Sequence, residues 1–222
     1  LFPYNLKVWG HPLEEMGTSW MGERVAVPDL ERVRRNVAAR RDDVSWGPNN
    51  RFRFPERGGT GAIWEGVARL LPPDKLRLEA RVASVDPRQR RLTTESGESI
   101  PWRALVSTMP LDRLCERIVG LPSPLVEASR RLRHSAVHVL GFGLDGPRPD
   151  SLAKKCWIYF PEPTSPHYRV TVFSNYSPRN VPPDDGSSRY WSLMAEVCES
   201  PAKPVDAASL LDDSLRGLRH DD

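Results

Sequence analysis

The sequence predicts a mixed α+β fold. Helical patterns come first along the chain, a β-hairpin and a short apolar run follow, two short helices come next, and an antiparallel meander precedes a terminal helix. This order lacks the regular strand–helix alternation of a parallel sheet. The 222 residues, 39% of them hydrophobic, are enough to bury a core. No apolar run approaches the ~18 residues that a membrane span needs, so a membrane partner is not expected.

Helices are predicted from apolar spacing and from residues typical of helix ends. Residues 28–40 begin with Pro28 and two acidic residues and end with arginines, and their apolar positions have helical spacing. A glycine-rich turn, Gly58–Gly61, precedes a helix at 62–71, and its backbone N–H groups suit an anion, although such a turn is more often only a tight turn. Further helices are predicted at 110–119, 124–133 and 206–218.

Strands are predicted where apolar and polar residues alternate. In residues 135–144 the side chains of His138, Leu140 and Phe142 share one face, and His138 is interpreted as a structural residue rather than a metal ligand. Ala104–Val106 is a short apolar run typical of a buried strand. The other predicted strands are 81–85 and 90–95, joined as a hairpin, and 156–160, 168–173 and 189–197.

Charge and cysteine content exclude several classes of protein. The net charge of +3 is too small to indicate a nucleic-acid partner. Of 32 cationic residues 27 are Arg, which suits planar anions such as carboxylate and phosphate, although a GC-rich genome also explains the bias. The three Cys form no CxxC pair, so neither a disulfide framework nor a metal site is expected. With no recognisable secretory signal, the expected localisation is cytoplasmic.

Several short segments combine aromatic residues with Arg or Asn, as sites for nucleotides and sugars require. In order and spacing they resemble the eukaryotic-type UDP-galactopyranose mutases, which are FAD-dependent enzymes of the amine-oxidase-like superfamily. The resemblance covers nearly the whole chain and predicts part of a FAD-binding α/β domain plus an antiparallel sheet on the substrate side. The segments that carry it are PYNLKVW, WMGERVAVP, WGPN, FRFPERGGTGAIW, LVSTMPLD, KCWIYFPE, FSNYSP and YWSLMAEVCES.

The resemblance implies a UDP-galactose site with two arginines at its centre. Arg24 matches an active-site arginine beside the flavin and the sugar diphosphate, and Arg169 matches the second diphosphate arginine. Both are therefore the predicted catalytic residues, since a diphosphate favours two converging cations. Trp157 and Tyr159 lie two residues apart on a predicted strand, so they face the same side, and Arg169 begins the opposite strand. The substrate-binding residues are Asn5, Trp9, Arg24, Asn49, Trp157, Tyr159 and Arg169.

Other interpretations of single residues stay open. Trp9 is also typical of a core residue, and Asn49 of a turn after Pro48. For the cofactor, the resemblance implies that the backbone of Val82 meets the FAD adenine, and Gly59 and Gly61 are the other predicted cofactor-binding residues.

The resemblance implies an isomerase that interconverts UDP-galactopyranose and UDP-galactofuranose. The cofactor that the resemblance implies is reduced FAD, whose N5 attacks the anomeric carbon and displaces UDP. The flavin–sugar adduct then opens and recloses as a five-membered ring before UDP returns. A homo-oligomer is compatible with this, and no metal is implied. The alternatives are an FAD-dependent amine-oxidase-like oxidoreductase and a non-catalytic nucleotide-sugar-binding remnant.

The resemblance also predicts an N-terminal strand, GxGxxG turn and helix for the FAD pyrophosphate. Gly141 and Gly143 are not interpreted as this motif because they lie far from the start of the chain. We therefore expect a central part of the enzyme that binds FAD poorly and is inactive alone. Its expected parts are a helical substrate segment (1–72), a FAD-domain hairpin, strand and helix (73–122), and an antiparallel substrate segment (123–222).

Overall fold

The computed structural model describes residues 2–19, 28–41, 51–183 and 189–220. The chain divides into two compact units: unit 1 comprises residues 1–65 and 135–222, and unit 2 comprises residues 66–134. Each unit contains an antiparallel sheet accompanied by helices, which confirms the predicted mixed α+β class. Among the described helices, none combines the length and the apolar character needed to cross a bilayer.

The helices and strands follow the order expected from the sequence, with one additional helix at the N-terminus. The helices are α1 (Phe2–Trp9), α2 (Leu30–Ala38), α3 (Gly61–Arg69), α4 (Leu111–Arg117), α5 (Ser123–Ser129) and α6 (Leu210–His220). The strands are β1 (Val82–Asp86), β2 (Arg91–Thr94), β3 (Ser99–Pro101), β4 (Ala136–Asp145), β5 (Trp157–Tyr159), β6 (Arg169–Val172) and β7 (Tyr190–Glu199).

The sheet of unit 1 has the order β4-β7-β6-β5, and every neighbouring pair is antiparallel. Because side chains alternate across a strand, each strand sends one set to an apolar face and the other set to a polar face. Val170, Val172, Leu193 and Ala195 form the buried centre of the apolar face. The partly buried residues packed against them are Leu140, Phe142, Leu144, Leu152, Ile158, Phe160, Trp191 and Leu218.

Helix α1 is fastened to the rest of unit 1 at two points. Gly10, directly after the helix, has a φ of +73°, and a Cβ at this position would lie 3.0 Å from the Cys198 sulfur. The Ser200 hydroxyl donates to the Gly10 carbonyl. The buried Lys7 ammonium donates to the carbonyls of Phe160 and Glu162 at 2.8 and 2.7 Å. These contacts bring α1 against the end of β7 and the loop after β5.

The sheet of unit 2 has the order β1-β2-β3 and is flanked by α4. Val85 is its buried apolar residue, and the Val119 N–H donates to the Val85 carbonyl at 2.8 Å. The Arg117 guanidinium donates to the Val82 carbonyl at 3.0 Å, which fixes the end of α4 to β1.

The prediction of a buried strand at Ala104–Val106 is wrong. The strand that pairs with β2 is β3, because a tight turn with Gly97 at a φ of +86° aligns Ser99–Pro101 with Arg91–Thr93. The later apolar residues have no strand partner in the described part of the chain, and Leu105 and Val106 are 39% and 89% exposed. An apolar run of three residues does not form a strand without a neighbouring backbone to pair with.

The glycines at 141, 143 and 146 have the spacing of a GxGxxG motif. However, Gly141 and Gly143 lie inside the antiparallel strand β4, and Gly146 follows it in a bend. The next regular element is a short 3₁₀ helix at Asp150–Leu152 rather than an α-helix opening at the motif. A dinucleotide site needs the turn to lead from a strand directly into a helix, so these glycines do not form one.

His138 occupies a structural position, as predicted. Its Nε2 lies 2.6 Å from a Glu199 carboxylate oxygen, and both side chains are half-buried on the apolar side of β4 and β7. In the described ranges, no group of three His, Cys, Asp or Glu side chains is arranged to hold a metal ion.

Candidate functional site

The polar face of the unit 1 sheet carries the predicted substrate residues of the β5–β6 hairpin. The register pairs Tyr159 with Arg169 and Trp157 with Thr171. These four side chains therefore project from the same face, opposite the apolar core, as their two-residue spacing predicts. The Arg169 Cζ atom lies 5.9 Å from the centre of the Trp157 ring. One sheet surface thus presents an aromatic ring, a phenol and a guanidinium together.

Arg169 is held by a carboxylate from the next strand. Glu196 stands directly opposite it on β7. The Arg169 Nη2 group donates to one Glu196 oxygen at 2.8 Å, and Nε donates to the other, so the pair is bidentate. The pair is largely buried, with 30% of the Arg169 side chain and 13% of the Glu196 side chain exposed. The hydrogen bonds that Arg169 donates to Glu196 raise the pKa of Arg169, although burial opposes this.

Glu196 is a residue that the sequence analysis did not single out. The available signal was a carboxylate within an otherwise apolar stretch, LMAEVC, of a predicted strand. A buried carboxylate is costly without a partner, so its presence there indicates a paired cation. The sequence does not show which of 27 arginines is that partner, because the register between β6 and β7 is not encoded locally.

Helix α1 brings a further phenol to this surface. The pKa of Tyr4 is raised to about 12, first by burial and next by the neighbouring Tyr159 phenol, while Arg169 lowers it. Tyr4 therefore lies within electrostatic range of the predicted site. Asn5 and Trp9, the site residues predicted in this helix, are four residues apart and share one face of α1.

An aromatic cluster supports the site from the side of Trp157. Phe52 stacks on Trp157 with ring centres 5.3 Å apart, and it meets the edge of Tyr176 at 4.8 Å. Phe54 contacts Tyr176 at 5.0 Å and Phe173 at 5.8 Å. These rings form one cluster between the segment after residue 50 and the short 3₁₀ helix after β6. Phe52 thereby packs against one side of Trp157.

Tyr176 and its neighbour Asn175, which are not among the predicted site residues, have structural roles here. Burial raises the pKa of Tyr176, in keeping with its position among four other rings. The Asn175 amide donates to the carbonyls of Leu152 and Lys155 at 2.9 and 2.7 Å, and its oxygen accepts from Arg148. Asn175 therefore fastens the loop that leads into β5.

The predicted cofactor residues differ in their surroundings. Gly59 and Gly61 have open space beside them, whereas the Val82 carbonyl already accepts a hydrogen bond. Gly59 has a φ of +61°, and a Cβ at Gly59 or Gly61 would meet no described atom within 4 Å. A glycine turn with this open space permits close approach of a flat group or a phosphate. Val82 lies in unit 2, where its carbonyl already accepts from Arg117.

Two predicted site residues lie outside the described residues. They are Arg24, the proposed partner of Arg169 at a diphosphate, and Asn49. Their places in the site stay predictions.

Comparison with known proteins identifies the class. The chain belongs to the flavin-containing amine oxidoreductase family, whose model matches residues 13–213. Within that class, the chain is similar to a UDP-galactopyranose mutase whose crystal structure was solved in the reduced form. The two share 42% sequence identity over 99% of this chain, with a TM-score of 0.88. This confirms the resemblance predicted from the sequence.

The match covers only part of the solved mutase chain. This chain spans 46% of the solved mutase chain. A second solved structure is the PF1083 protein from Pyrococcus furiosus. The match covers 74% of this chain and 40% of the PF1083 chain, with 12% sequence identity and a TM-score of 0.59. At that identity the second likeness shows the fold alone.

Proposed function

We propose that this chain is the substrate-binding part of a UDP-galactopyranose mutase, which interconverts the pyranose and furanose forms of UDP-galactose. The observation that carries the proposal is Arg169, a half-buried guanidinium on the polar sheet face beside Trp157 and Tyr159. A guanidinium in this setting suits a diphosphate, and aromatic surfaces suit a nucleoside. The 42% identity to a mutase over this same chain supports the assignment.

In this proposal the residues of the chain bind and orient the nucleotide sugar. Arg169, together with Arg24, neutralises the diphosphate as it leaves and returns, which is electrostatic stabilisation. Trp157 supplies an aromatic surface and the Tyr159 phenol contacts the diphosphate, while Asn5 and Trp9 on α1 line the nucleotide–sugar cleft. Asn49 contacts the galactose.

The cofactor proposed for the enzyme is FAD in its reduced form. When bound, reduced FAD supplies the electron pair for the sugar chemistry, and the protein supplies position. The open space beside Gly59 and Gly61 fits a group that approaches the backbone closely. The backbone of Val82, whose carbonyl accepts from Arg117, is the proposed contact for the adenine.

A second candidate is favoured by the family description, an FAD-dependent amine oxidoreductase. That reaction removes a hydride from an amine and needs no cation for a diphosphate. Arg169 would then affect UDP binding no more than a surface arginine does, so the next experiment separates the two candidates.

The test is the affinity for UDP, measured by the quenching of tryptophan fluorescence. We expect Arg169→Ala to weaken UDP binding by ~1–3 kcal/mol, the range for hydrogen bonds to charged groups. The matched control is Arg189→Ala, because Arg189, directly before β7, makes a similar bidentate pairing with Asp145 of β4 but is exposed. The control should leave the affinity unchanged. Equal UDP affinities for the Arg169 variant and the unaltered chain would overturn the proposal.

A further inference from the structure

We propose that Glu196 is a positioning residue that orients Arg169 for the diphosphate. The inference rests on the proposed function, in which Arg169 contacts that group. Glu196 itself would touch neither substrate nor cofactor; it would act through the guanidinium. The evidence is the geometry and the burial of the Arg169–Glu196 pair, and the Arg189–Asp145 pair provides the control.

The pairing with Glu196 determines where the remaining N–H donors of Arg169 lie. Nε and Nη2 both point to Glu196, which takes one edge of the planar guanidinium. In the described part of the chain, Nη1 makes no hydrogen bond. A guanidinium has five N–H donors in a fixed fork, so occupying one edge fixes where the remaining donors lie. These remaining donors are the ones a diphosphate oxygen would use.

The ring neighbours restrict the guanidinium further. The Cζ atom lies 5.9 Å from the ring centres of both Trp157 and Tyr168. Burial raises the pKa of Tyr168, and the nearby Glu196 carboxylate raises it further. A side chain held by a carboxylate and two rings has lost most of its rotamer freedom before any ligand arrives. Binding then costs less ordering of the side chain.

Two opposite effects of Glu196 on a bound diphosphate can be separated by experiment. As a positioning residue, Glu196 strengthens binding, since it holds Arg169 in place. As a nearby negative charge, it weakens binding, since it neutralises the cation and repels the phosphates. The sign of the change on removing the carboxylate charge therefore decides between the two.

The sheet offers a matched control for a bidentate pair that has no ligand role. Asp145 at the end of β4 accepts from Nε of Arg189 at 2.6 Å and from its Nη2 group, and Arg189 directly precedes β7. Both of these side chains are more than half exposed, at 58% and 57%. Asp145→Asn thus removes one carboxylate charge from a bidentate Arg pair without touching the site.

The experiment measures UDP affinity by fluorescence titration in Glu196→Gln, Glu196→Asp and Asp145→Asn, and repeats Glu196→Gln in the Arg169→Ala background. We expect Glu196→Gln to weaken UDP binding about tenfold, the effect of ~1.4 kcal/mol. Glu196→Asp, which keeps the carboxylate, should recover part of that loss, and Asp145→Asn should change nothing. Without Arg169, the Glu196→Gln change should leave the affinity unchanged or raise it, because only the repulsive effect of the carboxylate remains.

Unchanged or tighter UDP binding in Glu196→Gln overturns the inference, as does an equal loss with and without Arg169. The second outcome would mean that Glu196 acts on the fold and not on Arg169. Failure of the proposed function is recognised separately, because Arg169→Ala would then bind UDP as well as the unaltered chain. Near-ultraviolet circular dichroism on each variant verifies that the folded state is retained, and Glu196→Asp carries the test if the Gln variant fails to fold.

Discussion

Tyr4 shows how a single side chain on α1 is tied to the site electrostatically. Its pKa is raised from the ordinary 10.0 to about 12, first by burial and then by the Tyr159 phenol, and Arg169 only partly opposes this. Because the deprotonated phenol is disfavoured in the folded chain, the folded state keeps its proton at a pH where the unfolded chain has lost it. Stability contributed by Tyr4 is therefore complete below pH 10 and is lost as the pH rises towards 12.

This sign gives a prediction for alkaline pH. We expect the free energy of unfolding to fall between ~pH 10 and ~pH 12 in the unaltered chain and to fall less steeply in Tyr4→Phe, which has no proton to lose. Urea unfolding at a series of pH values across this window measures both slopes. A variant slope identical to that of the unaltered chain would show that the Tyr4 phenol titrates as it does in the unfolded state.

At the scale of elements, the strands of unit 1 could be predicted because alternation alone determines which side chains face the core. Residues 135–144 and 189–197 were expected as strands, and β4 and β7 match them within two residues. The same alternation placed Trp157 and Tyr159 on one face. What it could not show is that Glu196 meets Arg169, since that contact depends on the register of two strands separated by the connecting residues 173–189.

Helix α1 and the aromatic cluster illustrate a second limit. The segment FPYNLKVW carries no cap or amphipathic pattern that indicates a helix, and its contacts are the Lys7 ammonium on distant carbonyls and Gly10 against Cys198. Likewise, Phe52 meets Trp157 across more than a hundred residues. Such elements are stabilised by tertiary packing rather than by local propensity, so a local pattern does not predict them.

Two helical glycines provide a prediction on packing. A Cβ at Gly217, in α6, would lie 3.0 Å from the Ser165 Cα and 3.2 Å from His167 Cε1, whereas a Cβ at Gly66, in α3, would meet nothing described within 4 Å. In an open helix Gly→Ala is favourable by ~0.5–1 kcal/mol, while overpacking against backbone costs ~1–3 kcal/mol. Gly217→Ala should therefore destabilise the chain and Gly66→Ala should stabilise it slightly.

Urea unfolding followed by far-ultraviolet circular dichroism measures both variants against the unaltered chain. The two substitutions are identical in chemistry and both lie inside helices, so helix propensity cancels between them. An increase in stability for Gly217→Ala would mean that the loop carrying Ser165 and His167 moves away from α6 without cost.

At the scale of the whole molecule, the two units differ in how much apolar surface each buries. In unit 1, the last three residues of β6, Val170, Thr171 and Val172, are fully buried, as are Ala195 and Val197 on β7. In unit 2, Val85 is the buried apolar residue among those described, while Leu78 and Val106 are among its exposed apolar side chains. Local opening is easiest where few apolar contacts must be broken.

Hydrogen–deuterium exchange on the 222-residue chain should therefore be slowest in β6 and β7 and faster in the β1–β2 hairpin. Both pairs of strands are antiparallel and hydrogen-bonded, so the comparison isolates packing from backbone pairing. Val172→Ala should accelerate exchange across β6 and β7, because it leaves a cavity in the buried centre of the sheet, at a cost of ~1–3 kcal/mol. Slower exchange in β1–β2 than in β6–β7 would mean that the stability of the chain does not follow the burial of these side chains.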